Sequence, residues 1–100
     1  MILEVAILNV KPTLTEQFEK DFQKAGQYIS SIKGYVNHSL QKCIEVENQY
    51  LLLVNWETLE DHTVGFRQSD VYQEWKKLLH DYYAPFPTVE HYETIYSSKG

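Results

Sequence analysis

Residues 50–56, YLLLVNW, form a short apolar run, and residues 2–10, ILEVAILNV, form a second one. Both runs are rich in aliphatic and β-branched side chains, which favours β-strands. Leu3, Val5 and Ile7 share one face of the first strand, and Ile2, Ala6, Leu8 and Val10 share the other. Because both faces of each run are apolar, we expect both strands to be covered on two sides.

A long helix is indicated between these strands by apolar residues at spacings of three and four, from residue 14 to about 31. Thr13 and Glu16 have the spacing of a capping box at its start. Gly34 is the expected stop after its end.

Two further helices are expected after residue 56. Thr58 with Asp61 caps a short helix that ends at about Gly65, and Ser69 caps a longer one. The apolar stripe of the longer helix consists of Val71, Trp75, Leu78 and Tyr82.

Residues 35–43 and 88–96 complete the pattern as two further strands. In the strand over residues 35–43, Val36, His38 and Leu40 are expected on one face. The order β-α-β-β-α-α-β is that of a ferredoxin-like, split βαβ fold of the α+β class. It predicts a four-stranded antiparallel sheet with helices on one face. We expect one domain over residues 1–97 and a frayed tail over residues 98–100.

The sheet predicts a partner, since helices cover only one of its faces and its inner strands are apolar on both. A second copy of the same sheet is the simplest cover, because most oligomers are symmetric dimers. The sequence therefore predicts a homodimer.

The composition excludes several classes of protein. The net charge is −5 and no basic patch is present, which argues against nucleic-acid binding. No apolar run has the length of a membrane span, and the N-terminus has no signal-peptide pattern. The lone Cys43 fits a reducing compartment, so a cytoplasmic protein is expected. Aromatic residues make up 14% of the chain, which suggests an apolar pocket or a partner surface.

Two stretches carry a family resemblance: LLLVNWETLEDH at residues 51–62 and GFRQSDVYQEWKKLLHDYYAPFPTVEHY at residues 65–92. In this layout the chain resembles the antibiotic biosynthesis monooxygenase (ABM) family of dimeric α+β barrels. The resemblance implies a homodimer with its sheets face to face, and a pocket between each sheet and its own helices. Members of this family include cofactor-free oxygenases of phenolic substrates, quinol oxygenases and haem-degrading proteins.

The chain also departs from the family. Many relatives carry a His about three residues before the Ser that opens the longer helix, where this chain has Phe66. The haem-degrading branch has a His later on that helix, where this chain has Trp75 and Lys76. We therefore expect no haem. No zinc-ligand spacing occurs in the sequence, so we expect no metal. The resemblance to cofactor-free oxygenases implies that no flavin is used either.

The candidate catalytic residues are His62, Arg67 and His91. His62 and Arg67 flank a turn that lies at the pocket mouth in the family layout, so His62 is the expected base and Arg67 the anion stabiliser. His91 lies on the same face of the last strand as Val89, and it is the alternative candidate for the base. Each has a structural alternative: Arg67 can pair with an acid of the short helix, and the histidines can be buried and hydrogen-bonded.

The candidate substrate-binding residues are aromatic or imidazole side chains, and the aromatic ones exceed as a group what a small core usually holds: Trp56, Phe66, Trp75, His80, Tyr83 and Phe86. Core packing is the alternative role for the aromatic ones, and helix-end charge compensation is the alternative for His80. The favoured function is a cofactor-independent monooxygenase of a small aromatic, quinol or polyketide-like substrate. A non-catalytic ligand-binding or stress-response dimer, or a different dimeric-barrel enzyme such as an isomerase, remains the alternative.

Overall fold

The computed structural model describes residues 1–100, and its elements follow the expected order. The strands are β1 (Ile2–Asn9), β2 (Tyr35–Lys42), β3 (Gln49–Trp56) and β4 (Val89–Glu93). The helices are α1 (Thr15–Ile29) and α2 (Asp70–Leu79), with a π-helical segment at Asp61–Phe66 and a 3₁₀ turn at His80–Tyr82. No helix has the length and apolarity needed to cross a membrane.

The four strands form one antiparallel sheet in the order β2-β3-β1-β4. Burial alternates along the two inner strands, so one face is the core face, which we call the inner face. Helices α1 and α2 pack against each other and supply the rest of the core. The predicted α+β, ferredoxin-like fold with helices on one face of the sheet is confirmed.

The opposite face of the sheet, which we call the outer face, is apolar and carries no helix. Its centre is formed by side chains of β1 and β3 that lie side by side, with Val5 opposite Leu53 and Ile7 opposite Leu51. Ile7 is 49% exposed, and the other three are partly exposed. The expectation that each inner strand has two apolar faces therefore holds for these central positions.

The predicted start and stop of α1 are wrong. Thr13 has a φ of +74°, and Leu14 occupies the N-cap position without a side-chain hydrogen bond, so no capping box forms. The helix ends at Ile29 and tightens into i→i+3 bonds, with Ser31 N donating to Tyr28 O. The chain therefore leaves α1 several residues before Gly34.

Gly34 serves the turn into β2 instead. Its φ is +89°, and a Cβ there would overlap the side-chain carboxylate of Asp61. Its carbonyl accepts a hydrogen bond from Glu57 N at 2.7 Å. Only glycine fits this turn without a shift of the π segment.

The predicted faces of β2 need one correction, at Val36. The register slips between Tyr35 and Asn37, so Val36 is an extra residue and is 43% exposed. Tyr35 thereby moves to the inner face, where its hydroxyl lies 2.5 Å from Nδ1 of His38. A bulge shifts the residues on one side of it to the opposite face of the sheet. A prediction from simple alternation of side chains along the strand could not anticipate this shift.

The two predicted caps after β3 are confirmed. Thr58 Oγ1 accepts a hydrogen bond from Asp61 N, and Ser69 Oγ accepts one from Tyr72 N, each at 3.2 Å. The short helix closes with π-type i→i+5 bonds, such as the one from Arg67 N to His62 O at 3.1 Å. Strand β4 is shorter than predicted, because its pairing with β1 stops at Glu93.

Candidate active site

Two sizeable cavities lie on the helix side of the sheet. The larger, about 660 Å³, lies between α1 and β2. Its charged groups partner each other: the Tyr50 hydroxyl donates to Glu19, and Lys42 forms an ion pair with Glu19. The smaller, about 350 Å³, lies between the inner face, the π segment and α2. We call the smaller one the site cavity.

The site cavity brings together seven of the nine side chains that the sequence singled out: His62, Phe66, Arg67, Trp75, His80, Tyr83 and Phe86. The remaining lining residues come from the inner face of the sheet, from α2 and from the segment that leads to β4: Glu4, Ala6, Leu8, Leu52, Tyr72, Pro87 and Val89. The wall is mostly apolar, and its polar groups converge near Glu4 and His62. Such a cavity is typical of a small-molecule site.

Trp56 and His91 do not line the site cavity, but each contacts His62. The indole of Trp56 is fully buried and stacks on the imidazole of His62, with ring centroids 5.3 Å apart and planes at 20°. Nε2 of His91 lies 2.7 Å from Nδ1 of His62, at hydrogen-bond distance. Trp56 therefore holds the His62 ring in place from outside the cavity, and His91 links His62 to the edge strand β4.

Glu4 is the polar residue of the site that sequence reasoning missed. It is buried on the inner face of β1, and its side chain accepts a hydrogen bond from Trp56 Nε1 at 2.9 Å. Its Oε1 lies 3.3 Å from Nε2 of His62. The signal was present in the sequence, since Glu4 is the one charged residue within the apolar run of residues 2–10.

Burial shifts the proton equilibria of Glu4 and His62 toward their neutral forms. It raises the pKa of Glu4 to about 7, although the Trp56 hydrogen bond and the charge of Arg67 favour the carboxylate. Burial, together with the charges of Arg67 and His91, lowers the pKa of His62 to about 3. The carboxyl can therefore gain or lose a proton near neutral pH, which is the range a general base needs.

Arg67 lies exposed at the rim of the site cavity and forms no ion pair. The structural alternative for Arg67, pairing with Glu60 or Asp61, is not observed. Asp61 instead accepts a hydrogen bond from Thr58 N at 3.2 Å. The guanidinium is thus available to an anion at the cavity mouth.

The aromatic candidates differ in how deeply they lie. Phe66 and Trp75 are buried and belong to the core, which is the structural alternative for them, and they also line the cavity wall. Phe86 is 62% exposed and packs edge-on against His80, with centroids 4.8 Å apart. Burial lowers the pKa of His80. Phe86 and His80 therefore form the outer part of the wall.

The remaining histidine and the cysteine lie outside the site cavity. His38 pairs with Tyr35 beside α1, and Cys43 follows β2. No group of three or more His, Cys, Asp or Glu side chains is arranged to hold a metal ion.

Comparisons with known proteins cover nearly the whole chain. Residues 1–78 match the sequence model of a family described as antibiotic biosynthesis monooxygenase. YczJ of Bacillus subtilis (strain 168) is 57% identical over 95 residues, which is 95% of this chain and 100% of YczJ. A Bordetella bronchiseptica protein assigned to the same monooxygenases superposes with a TM-score of 0.91 at 35% identity, over 95% of this chain and 97% of that one.

The fold is also shared with SnoaB, a cofactor-independent oxygenase from Streptomyces nogalater. The TM-score is 0.70 at 19% identity, over 97% of this chain and 94% of SnoaB. At that identity the likeness concerns the fold alone.

Proposed function

The chain belongs to the antibiotic biosynthesis monooxygenase family, and from that premise we propose that it is a cofactor-independent monooxygenase of a small phenol or quinol. The observation that carries the proposal is the buried Glu4–His62 pair beside an aromatic cavity with an unpaired arginine at its rim. These are the groups that removal of a proton from a phenol requires. SnoaB, a fold relative, is named as a cofactor-independent oxygenase, which agrees with this proposal.

The size of the site cavity limits the substrate class. An apolar cavity of roughly 150 Å³ holds one benzene ring. A cavity of about 350 Å³ therefore suits one or two fused rings. The aromatic walls of Phe66, Trp75 and Tyr83 can stack on such rings, while the polar groups near Glu4 reach a hydroxyl at one end. We propose a one- or two-ring quinol as the preferred substrate.

The proposed reaction uses the substrate as its own reductant for O2. A base in the cavity takes a proton from the substrate hydroxyl, and the resulting anion passes one electron to O2. The radical pair combines to form a carbon–oxygen bond, which gives a hydroperoxide on a carbon that still bears a hydrogen. Loss of water from this group leaves a carbonyl, so one oxygen atom enters the product and the other leaves as water.

The protein contributes a base, an anion stabiliser and a water-excluding wall to this reaction. His62 and His91, which the sequence offered as rival bases, are hydrogen-bonded to each other. We propose that they act together with Glu4 as one acid–base unit. Arg67 stabilises the anion. The apolar wall excludes water from the reactive anion.

The test is oxygen uptake by the purified protein with a panel of one- and two-ring quinols, in an oxygen electrode. Uptake above the rate of autoxidation supports the proposal. Quenching of the Trp75 fluorescence without oxygen uptake supports the alternative of a non-catalytic binding protein. Conversion of the substrate without oxygen uptake supports an isomerase.

Substitution of Arg67 by alanine is expected to reduce kcat/KM most for quinols whose anions are poorly stabilised by their own substituents. The reason is that Arg67 supplies the external charge that such anions lack. A series of ring-substituted quinols checks this, and Lys76→Ala, on the exposed face of α2, is the control for loss of one surface charge. An equal loss across the series would contradict the role of Arg67.

We also propose that the protein is a homodimer in the cytoplasm, with the two outer faces packed together. A monomer would expose the apolar cluster of Val5, Ile7, Leu51 and Leu53. Soluble monomers rarely leave a patch larger than ~300–600 Å² uncovered. The resemblance to dimeric barrels and the bare outer face support the same arrangement.

Light scattering at micromolar concentration is expected to give about twice the chain mass of 11.8 kDa. Leu53→Lys is expected to shift the mass toward one chain, because it places a charge at the centre of the outer face. Ile44→Lys is the matched control, since Ile44 is 93% exposed in the β2–β3 connection. A wild-type mass near that of a single chain would contradict the dimer.

A further inference from the structure

We propose that Glu4, His62 and His91 form a proton relay, in which Glu4 takes the substrate's proton in the site cavity and the two histidines carry it to the protein surface. The inference rests on the proposed function, because a path for protons matters to a reaction that ionises its substrate. Nothing in the family match assigns Glu4 a role.

The three side chains form a continuous chain of polar contacts. Oε1 of Glu4 lies 3.3 Å from Nε2 of His62, and Nδ1 of His62 lies 2.7 Å from Nε2 of His91. The sheet fixes this arrangement, since His91 on β4 stands directly opposite Glu4 on β1 and therefore shares its face. The His62 ring is held in place by its stack on Trp56.

The first two members of this chain are buried, and exposure rises only at its last member, where a relay must meet the solvent. The side chains of Glu4 and His62 are 6% and 4% exposed, whereas His91 is only partly buried. Glu4 borders the cavity and is otherwise enclosed. A proton that reaches its carboxylate can therefore leave through His62 more readily than directly to water.

Other groups around Glu4 determine how it holds a proton. The Trp56 N–H and the Arg67 charge favour its carboxylate form, and burial opposes them. Tyr72 on α2 lines the same cavity, and burial raises the pKa of its hydroxyl, with Arg67 lowering it and Glu4 raising it. Glu4 is therefore the group near the cavity whose pKa, about 7, suits proton uptake at neutral pH.

The relay is balanced within one reaction cycle. Protonated Glu4 donates to Nε2 of His62 while Nδ1–H of His62 donates to Nε2 of His91, and the Nδ1 proton of His91 passes to water. Both imidazoles have then exchanged tautomers, and Glu4 is a carboxylate again. The peroxide oxygen formed from O2 takes one proton back later in the cycle, and this return through the same atoms restores both tautomers.

The first experiment follows the proton without any turnover. Infrared spectroscopy of the wild type is expected to show the carbonyl band of a protonated carboxyl that is absent in Glu4→Gln and present in Glu93→Gln, an exposed carboxylate on β4. On transfer to heavy water, the deuterium shift of this band is expected to be several-fold slower in His62→Phe than in the wild type. His38→Gln is the control for loss of a histidine outside the cavity. Equal exchange rates in the wild type and in His62→Phe would overturn the relay.

The second experiment uses the quinol assay. Glu4→Gln is expected to lower kcat by at least ~100-fold, with little change in KM, and to remove the limb of the kcat/KM profile near pH 7. His91→Ala is expected to lose less and to be rescued by imidazole in the buffer, because His91 lies at the exposed end. Retention of both the rate and the pH limb in Glu4→Gln, with near-ultraviolet dichroism showing a native fold, would overturn the role of Glu4.

The two experiments separate the relay from the proposed function. If the wild type takes up no oxygen with any quinol, the proposed function fails. The infrared exchange rates then still support or overturn the proton path. If oxygen uptake is present but Glu4→Gln is fully active, the function stands and the relay fails.

Discussion

Substitution of His62 by alanine is expected to lower kcat for oxygen uptake by at least ~100-fold, because loss of a positioned acid–base group typically costs ~10²–10⁴ in rate. His62 is the central member of the polar chain, in contact with both Glu4 and His91. Steady-state oxygen-electrode kinetics with the best quinol provide the measurement.

The control for this prediction concerns packing. His62 is 3% exposed and stacks on Trp56, so alanine also leaves a hole next to the indole. His62→Phe keeps an aromatic ring in that place but cannot carry a proton, and it is expected to lose as much activity as alanine. Restored activity in His62→Phe would show that the ring has only a packing role.

The unfolding free energy of Glu4→Gln is expected to increase relative to the wild type as the pH rises from 4.5 to 7. The folded protein raises the pKa of Glu4 from an ordinary 4.5 to about 7. Folding thus binds a proton at Glu4, and its stabilising contribution is complete below pH 4.5 and lost as the pH passes 7. The variant lacks this loss, which amounts to roughly 1.4 kcal/mol per pH unit and about 3 kcal/mol over the window.

The difference between the two proteins is the informative quantity. His62, whose pKa burial lowers from 6.5 to about 3, has the opposite effect, because its neutral form is favoured by folding. Its contribution makes the wild type more stable as the pH rises from 3 to 6.5, and this partly hides the effect of Glu4. Urea titrations at several pH values check this difference. Glu93→Gln is the control, because it gives the change in unfolding free energy that follows from removing an exposed carboxylate. A difference that does not change with pH would contradict the burial of an ionisable Glu4.

Much of the fold could be predicted because its signals are local. The apolar runs of β1 and β3 and the caps at Thr58 and Ser69 depend on neighbouring residues, and the structure confirms them. The bulge at Val36 and the early end of α1 depend on packing against other elements, such as the close approach of Asp61 to Gly34. Such contacts leave no periodic trace in the sequence.

Only the part of the candidate site that lies on residues 62–86 could be predicted from the sequence. Residues from 62 to 86 lie near each other in the chain, and seven of the predicted side chains line one cavity. Glu4 joins them only through the pairing of β1 with β3 and β4, which brings it to Trp56 and His91. Its parity is that of Ala6 and Leu8, but a carboxylate in an apolar strand indicates a site only when its partners are known.

The direct test of the account is a single turnover of the preferred quinol under oxygen gas that carries the heavy isotope, with protein treated with a metal chelator. The account predicts one labelled atom in each product molecule and one in water, at a rate that the chelator leaves unchanged and that Glu4→Gln reduces at least ~100-fold. A product without label, or an oxygen uptake that the chelator abolishes, would contradict it.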